Sequence, residues 1–281
     1  MKNIINTLNL DSSEIVVLKE YCMNKFSDIP EAAPGEQEYL AAWNSLMSGT
    51  DDSGVESVLN STFCKAYPVK FIDPEGVKIE IYNSFAGDIP IIYVENADDF
   101  ELLITNMLHK GIRPENLTKT GASFVSGKTL RFIVLSSKPY SNVTASELGL
   151  DEKDWQKKSM LIRRAHECTH FFTKQAYGIA YNNLHDELMA DFMGLYDAFG
   201  FYKADWFLRF MGVIEGSGKR LDVYTKGLSP NVKTAVALLT REAAYGLERW
   251  TQTEEYGALS YPEIIKRMCR AGIAGMIESN L

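Results

Sequence analysis

Residues 165–172 read Ala165-His166-Glu167-Cys168-Thr169-His170-Phe171-Phe172. They lie inside a helical pattern over residues 151–175, where Leu161, Ala165, Cys168 and Phe172 recur as an apolar stripe. Positions i and i+4 share one helix face, so the imidazoles of His166 and His170 stand one turn apart on the flank of that stripe. Two imidazoles so placed reach one zinc ion at about 2.0–2.1 Å. Glu167 is next in the chain, close enough to address a water on that ion without ligating it. Two structural histidines would account for the spacing but not for the glutamate between them.

A second helical pattern follows over residues 184–199, with Asn183 as its cap and Leu184, Leu188, Leu195 and Phe199 as its buried stripe. It opens His185-Asp186-Glu187 and carries Asp191 one turn after Glu187. A zinc site needs a third protein ligand. The extended metzincin pattern would place Gly and His at positions 173 and 176, where this chain has Thr173 and Ala176, so that form is excluded. An acid on the following helix is the other source: Glu187, with Asp186 and His185 competing. The macrodipole favours acids in a first helical turn, which explains Asp186 and Glu187 but not Asp191. A carboxylate that deep beside a buried stripe needs a partner. Ala190 and Gly194 permit close approach of the two helices.

From His166 to Asp191 the chain resembles the gluzincin group of zinc metallopeptidases, of which thermolysin-like enzymes are the familiar members. The resemblance implies a zincin-like fold, Zn2+ as cofactor, Glu187 as third ligand and Asp191 as the hydrogen-bond partner of His166. It also implies Glu167 as general base toward a water that zinc acidifies. The chain departs from the thermolysin pattern by Asp186 before the ligand and by a shorter gap between the helices. Tyr177, Tyr181 and His185, all between the two ligand helices, are the expected transition-state donors. The strand expected over residues 129–135 stands where the resembling enzymes bind a peptide backbone by strand addition.

Outward from this pair, residues 203–214, 230–250 and 262–277 continue as helices, with a Gly-rich loop at Gly216-Ser217-Gly218 that could flank a lid. On the other side the period changes. Residues 69–72, 77–82, 91–94 and 130–135 are β-branched and aromatic runs separated by turn chemistry. Residues 99–109 read as a helix between them, and cap residues before Ile15 and the pattern over 36–47 give two earlier helices. Residues 122–129 nearly match a phosphate-binding loop, but a strand follows where that motif needs a helix, so a hairpin turn at Ser126-Gly127 is the better reading. The order predicts an α+β chain: N-terminal helices and a small mixed sheet over 1–143, then a mainly helical half over 144–281 that carries the zinc site.

The bulk numbers agree with a globular protein of two lobes around a cleft: 281 residues, 46% hydrophobic and 23% charged. A net charge of −8 without a basic run argues against a nucleic-acid partner. No apolar run has the length of a membrane span and no signal peptide is legible. Four scattered cysteines exclude a Cys-rich zinc knuckle and suggest reduced thiols in the cytoplasm. The expectation is a cytoplasmic zinc-dependent hydrolase, a metallopeptidase acting on a peptide or protein substrate. The alternative is a non-catalytic binding or regulatory protein with a structural zinc. Oligomeric state and cleavage preference are not legible.

Overall fold

The structure, a computed structural model, describes residues 8–32, 37–48, 54–127, 130–180 and 183–281. Helices α1 (Ser12–Tyr21), α2 (Tyr39–Met47) and α3 (Val55–Ser61) precede the hairpin of β1 (Val77–Ser84) and β2 (Gly87–Val94). Helix α4 (Ala97–Leu108) leads to a second hairpin, β3 (Ala122–Ser126) and β4 (Arg131–Ser136). The rest is helical: α5 (Ala145–Leu148), α6 (Glu152–Tyr177), α7 (Leu184–Phe199) and α8 (Ala204–Met211), then α9 (Leu221–Tyr224), α10 (Pro230–Trp250), α11 (Glu254–Gly257) and α12 (Tyr261–Glu278). This is the expected α+β class, with the sheet in the first half and helices in the second.

The sheet order is β1-β2-β4-β3. Strands β1 and β2 pair antiparallel, β2 and β4 pair parallel in the register Ile91 to Ile133, and β3 returns antiparallel on β4 with Ser123 opposite Val134. Strand β4 is thus enclosed on both edges. Its Phe132, Ile133, Val134 and Leu135 are fully buried, which is why it reads as a continuous apolar run. Strands β1 and β3 are the two edges.

Residues 69–72 are not a strand. Their main chain is held by side chains instead. Val69 bonds Asn60, Phe71 N–H donates to Glu56, and Ile72 and Asp73 N–H donate to the fully buried Asp99 carboxylate. An apolar run with its donors satisfied in this way needs no ladder partner.

Two apolar cores result. One lies against the sheet around Trp43, Phe100 and Phe132, and the other lies among the helices around Phe192, Phe207 and Leu239. Helix α6 feeds both, sending Cys168 and Phe171 to the first and Trp155, Ile162 and Ala176 to the second. Helix α1 packs on α10, and its Leu18 joins the helical core despite its place in the first 143 residues. Helices α6 and α7 are in the closest contact the sequence allows. A Cβ on Gly194 would stand 2.9 Å from the Ile162 carbonyl oxygen. Among the described residues no helix is long and apolar enough to cross a membrane.

Candidate metal centre and cleft

Helix α6 starts on an Asp151 cap and ends at Gly178, whose φ of 72° closes it. Helix α7 starts on the Asn183 side chain, which accepts from Asp186 N–H. These caps set the register in which the middle of α6 faces the first two turns of α7. His166 Nε2 and His170 Nε2 then lie 3.1 Å apart. Glu187 offers Oε2 at 3.6 Å from the first and Oε1 at 3.8 Å from the second. Ligands on a tetrahedral ion with bonds of about 2.05 Å stand roughly 3.3 Å from one another, so this donor set has the spacing of a zinc site.

The other imidazole nitrogens are backed by carboxylates. Asp191 Oδ1 lies 2.8 Å from His166 Nδ1, and Asp186 Oδ2 lies 3.6 Å from His170 Nδ1. Both carboxylates are fully buried. An acid facing Nδ1 favours the tautomer protonated there and leaves Nε2 with its lone pair outward. At 3.1 Å two such lone pairs need a proton or a metal cation between them. Burial lowers the His170 pKa, but Asp186, Glu187 and Glu167 more than offset it and bring it to about 10. Asp186, a competing ligand on sequence grounds, therefore serves as a partner of the second histidine.

Tyr177 and His185 do not line the cleft. The His185 ring is buried against Phe26 and its Nε2 lies 3.0 Å from the Met268 carbonyl. Burial lowers its pKa. Tyr177 is also buried, edge-on to Phe26, and burial pushes its phenol up to about 12. His185 points into the helical core because the first turn of α7 buries the side opposite Glu187, and Tyr177, the last residue of α6, joins the same core. Tyr181 lies outside the described residues.

Three groups that no spacing announced complete the centre. Tyr140 Oη donates to Asp191 Oδ1 at 2.5 Å and lies 3.0 Å from His166 Nδ1. Arg220 Nη1 binds both Asp191 oxygens at 2.9 and 2.7 Å, while its Nη2 pairs with Glu187 Oε2 and lies 3.4 Å from Tyr224 Oη. Burial pushes the Asp191 carboxyl up, yet Arg220 and His166 hold it well below the usual range. The loop before Arg220 is pinned and not a free lid. Ser217 N–H donates to Glu147 Oε1 at 2.7 Å and Ser217 Oγ donates to the Asn142 carbonyl at 2.8 Å. Gly218 packs so tightly on the Arg209 and Phe210 carbonyls that a Cβ there would overlap them. Tyr140 and Arg220 arrive from loops, where no periodicity marks them. Their only sequence signals are a Pro-Tyr step before α6 and an arginine after a Gly-rich turn.

The centre opens on a cleft of about 820 Å³ lined by His166, Glu167, His170, Glu187, Arg220 and Tyr224 on one side and by residues 119–126 and 138–142 on the other. Glu167 faces this space with no ion pair or hydrogen bond among the described residues. No curated protein and no solved structure matches the chain significantly. One family model does, over residues 60–130 and 128–276, and by that match the chain belongs to the family of unknown function DUF7005.

Proposed function

We propose that this chain is a zinc-dependent hydrolase of the gluzincin kind, a metallopeptidase with His166, His170 and Glu187 as ligands and Glu167 as general base. One observation carries the reading: both imidazole Nε2 atoms and the Glu187 carboxylate converge while each Nδ1 faces a buried carboxylate. When bound, zinc supplies a water whose pKa falls from 15.7 toward about 7 and a Lewis acid for a carbonyl oxygen.

The protein's own groups do the rest. Glu167, next to His166 on the cleft side, takes the water's proton and returns it to the leaving amine. Asp191 and Tyr140 hold the His166 ring, and Asp186 holds His170. Tyr224 lines the cleft with its hydroxyl beside Arg220, and it takes the place of the buried Tyr177 and His185 as the donor to the developing oxyanion. The edge available for strand addition is β3, not the expected segment over 129–135, since β4 is paired on both sides. Ala122, Phe124 and Ser126 of β3 line the cleft.

A closed, purely structural zinc would need His185 or Asp186 as fourth ligand. His185 is bonded to the Met268 carbonyl and Asp186 faces His170 Nδ1, which supports an open position and hence catalysis. The four cysteines are unpaired, which supports a reducing, cytoplasmic setting. The partner is a peptide or protein, with neither nucleic acid nor membrane required. Glu167→Gln tests the reading: the variant is expected to bind zinc like the parent and lose turnover of a peptide library. Undiminished turnover refutes the assignment.

A further inference from the structure

The two walls of the cleft differ in charge. The metal side carries the acids Glu167, Glu187 and, at the rim, Asp222, with the cations Lys219 and Arg220 among them. The facing wall, built from residues 116–126 and 138–142 with Arg163 at its base, carries Lys119, Lys138 and Arg163 and no acid. This is the reverse of the chain as a whole, whose net charge is −8.

The cations on that wall are not neutralised locally. Lys138 Nζ pairs with Glu101 at 2.7 Å, but the same carboxylate also serves Arg113, so one acid answers two cations. Lys119 is exposed and has no ion pair among the described residues. Arg163 is only 4% exposed. Its guanidinium is held by main-chain carbonyls, with Nη1 on Ser136 at 3.1 Å and on Lys138, and Nη2 on Pro139 at 3.0 Å. No carboxylate pairs with it, and its remaining N–H donors are left over. The nearest acid to influence it is Glu167, one helical turn on. Burial lowers its pKa to about 10, still far above neutrality, so the charge persists. The fold makes room for it: a Cβ on Gly121 would stand 2.4 Å from Arg163 Nε. Arg163 and Arg220 also lie against the same Tyr140 ring, each 5.5 Å from its centroid. Arg220 has two carboxylates and Arg163 has none.

A buried cation without an acid, at the base of a wall with further unbalanced cations, is completed by an anion from outside. We infer that this wall binds a carboxylate of the substrate, so that the proposed peptidase prefers peptides that place an acidic side chain or a free C-terminus beside the scissile bond. This rests on the peptidase reading for its substrate class. The test is separate from turnover.

The experiment measures binding of fluorescent peptides to the Glu167→Gln protein by anisotropy. Four peptides share one backbone: neutral and amidated, neutral with a free C-terminus, glutamate-bearing and amidated, and lysine-bearing and amidated. The glutamate or free-carboxylate peptide is expected to bind at least about tenfold tighter than the lysine peptide, a difference of about 1.4 kcal/mol, and the gap is expected to shrink in high salt. Whichever of the two carboxylates is favoured identifies its source. Arg163→Met is expected to close the gap. Because that variant removes a buried anchor, Lys119→Glu, which alters only an exposed side chain of that wall, is the second arm and should narrow the gap as well. Equal binding of all four peptides, preference for lysine, or an unchanged gap in folded variants overturns the inference. So does absence of binding by any peptide. None of these outcomes bears on zinc content or on cleavage by the parent protein.

Discussion

Asp191→Asn separates the metal-supporting role of this residue from its structural one. The carboxylate accepts from Tyr140 at 2.5 Å, faces His166 Nδ1 at 2.8 Å and meets Arg220 at 2.7 Å. Asparagine keeps the shape and one acceptor, but it removes the charge and turns an N–H2 toward a guanidinium that can only donate. At 2.7 Å and an effective dielectric of about 20, the lost attraction is about 6 kcal/mol before the relieved desolvation is subtracted. Broken buried pairs leave a net cost of about 3–5 kcal/mol. For 281 residues at about 2.1 cal/mol/K each, that lowers the melting midpoint by roughly 5–8 °C. Loss of the carboxylate behind a ligating histidine separately weakens zinc by about 10- to 100-fold. Calorimetric melts in chelator read the first effect and zinc titration against a competing indicator reads the second. A lower midpoint with undiminished zinc affinity would show that Asp191 only anchors Arg220, and the proposed metal geometry would be wrong.

Asp186→Asn should weaken zinc by about tenfold and lower the melting midpoint less than Asp191→Asn does, because among the described residues its one cationic partner is His170, at 3.6 Å, whereas Asp191 meets a guanidinium, a phenol and an imidazole; a midpoint drop as large as that of Asp191→Asn would contradict this. Gly194→Ala drives a methyl to 2.9 Å from the Ile162 carbonyl and should cost about 1–3 kcal/mol in chemical denaturation while also weakening zinc, since the α6–α7 spacing sets the ligand distances. Burial raises Glu147, but its bonds from Thr144 and Ser217 bring it down to about 2. A depressed carboxyl contributes stability above its unfolded value near 4.3 and loses it as pH falls toward 2. Thermal melts across that window should therefore have a shallower pH slope in Glu147→Gln than in the parent.

Periodicity reveals what neighbours in the chain must share, and the centre divides along that line. The facing of His166 and His170 follows from i and i+4 spacing, and that of Glu187 and Asp191 on the next helix does too, but the choice of Glu187 over Asp186 and the contact of Asp191 with His166 are what the gluzincin resemblance implies. The closeness of those helices follows from Gly194. Tyr177 and His185 were reached by proximity in sequence alone, and a helix start has two sides: the one that presents Glu187 to the metal buries His185 against Phe26. The sheet shows the same divide. Each strand of a hairpin is legible, but the insertion of β4 between β2 and β3 is a long-range choice, marked only by a run that is apolar at every position. Tyr140 and Arg220 are separated by 80 residues and meet through loop conformations that carry no repeat.

The charge at the centre supports the proposed divalent ion independently of the motif. Asp186, Glu187 and Asp191 are all at least 96% buried, and Glu167 adjoins them. Against these four acids the described residues set one guanidinium that pairs with them, that of Arg220. Burying three carboxylates in a low-dielectric region costs several kcal/mol each unless cations answer them. In the protein alone, a proton on His170 supplies part of that answer, since Asp186, Glu187 and Glu167 hold its pKa up against the effect of burial. A proton carries a single charge and satisfies one imidazole. The proposed zinc, of charge +2, would answer both imidazoles and offset the remaining acids together. The outer carboxylates therefore do more than orient rings. Their buried charge is only partly answered by Arg220 and by a proton on His170, and under the proposed reading that imbalance would raise the affinity of the site for zinc.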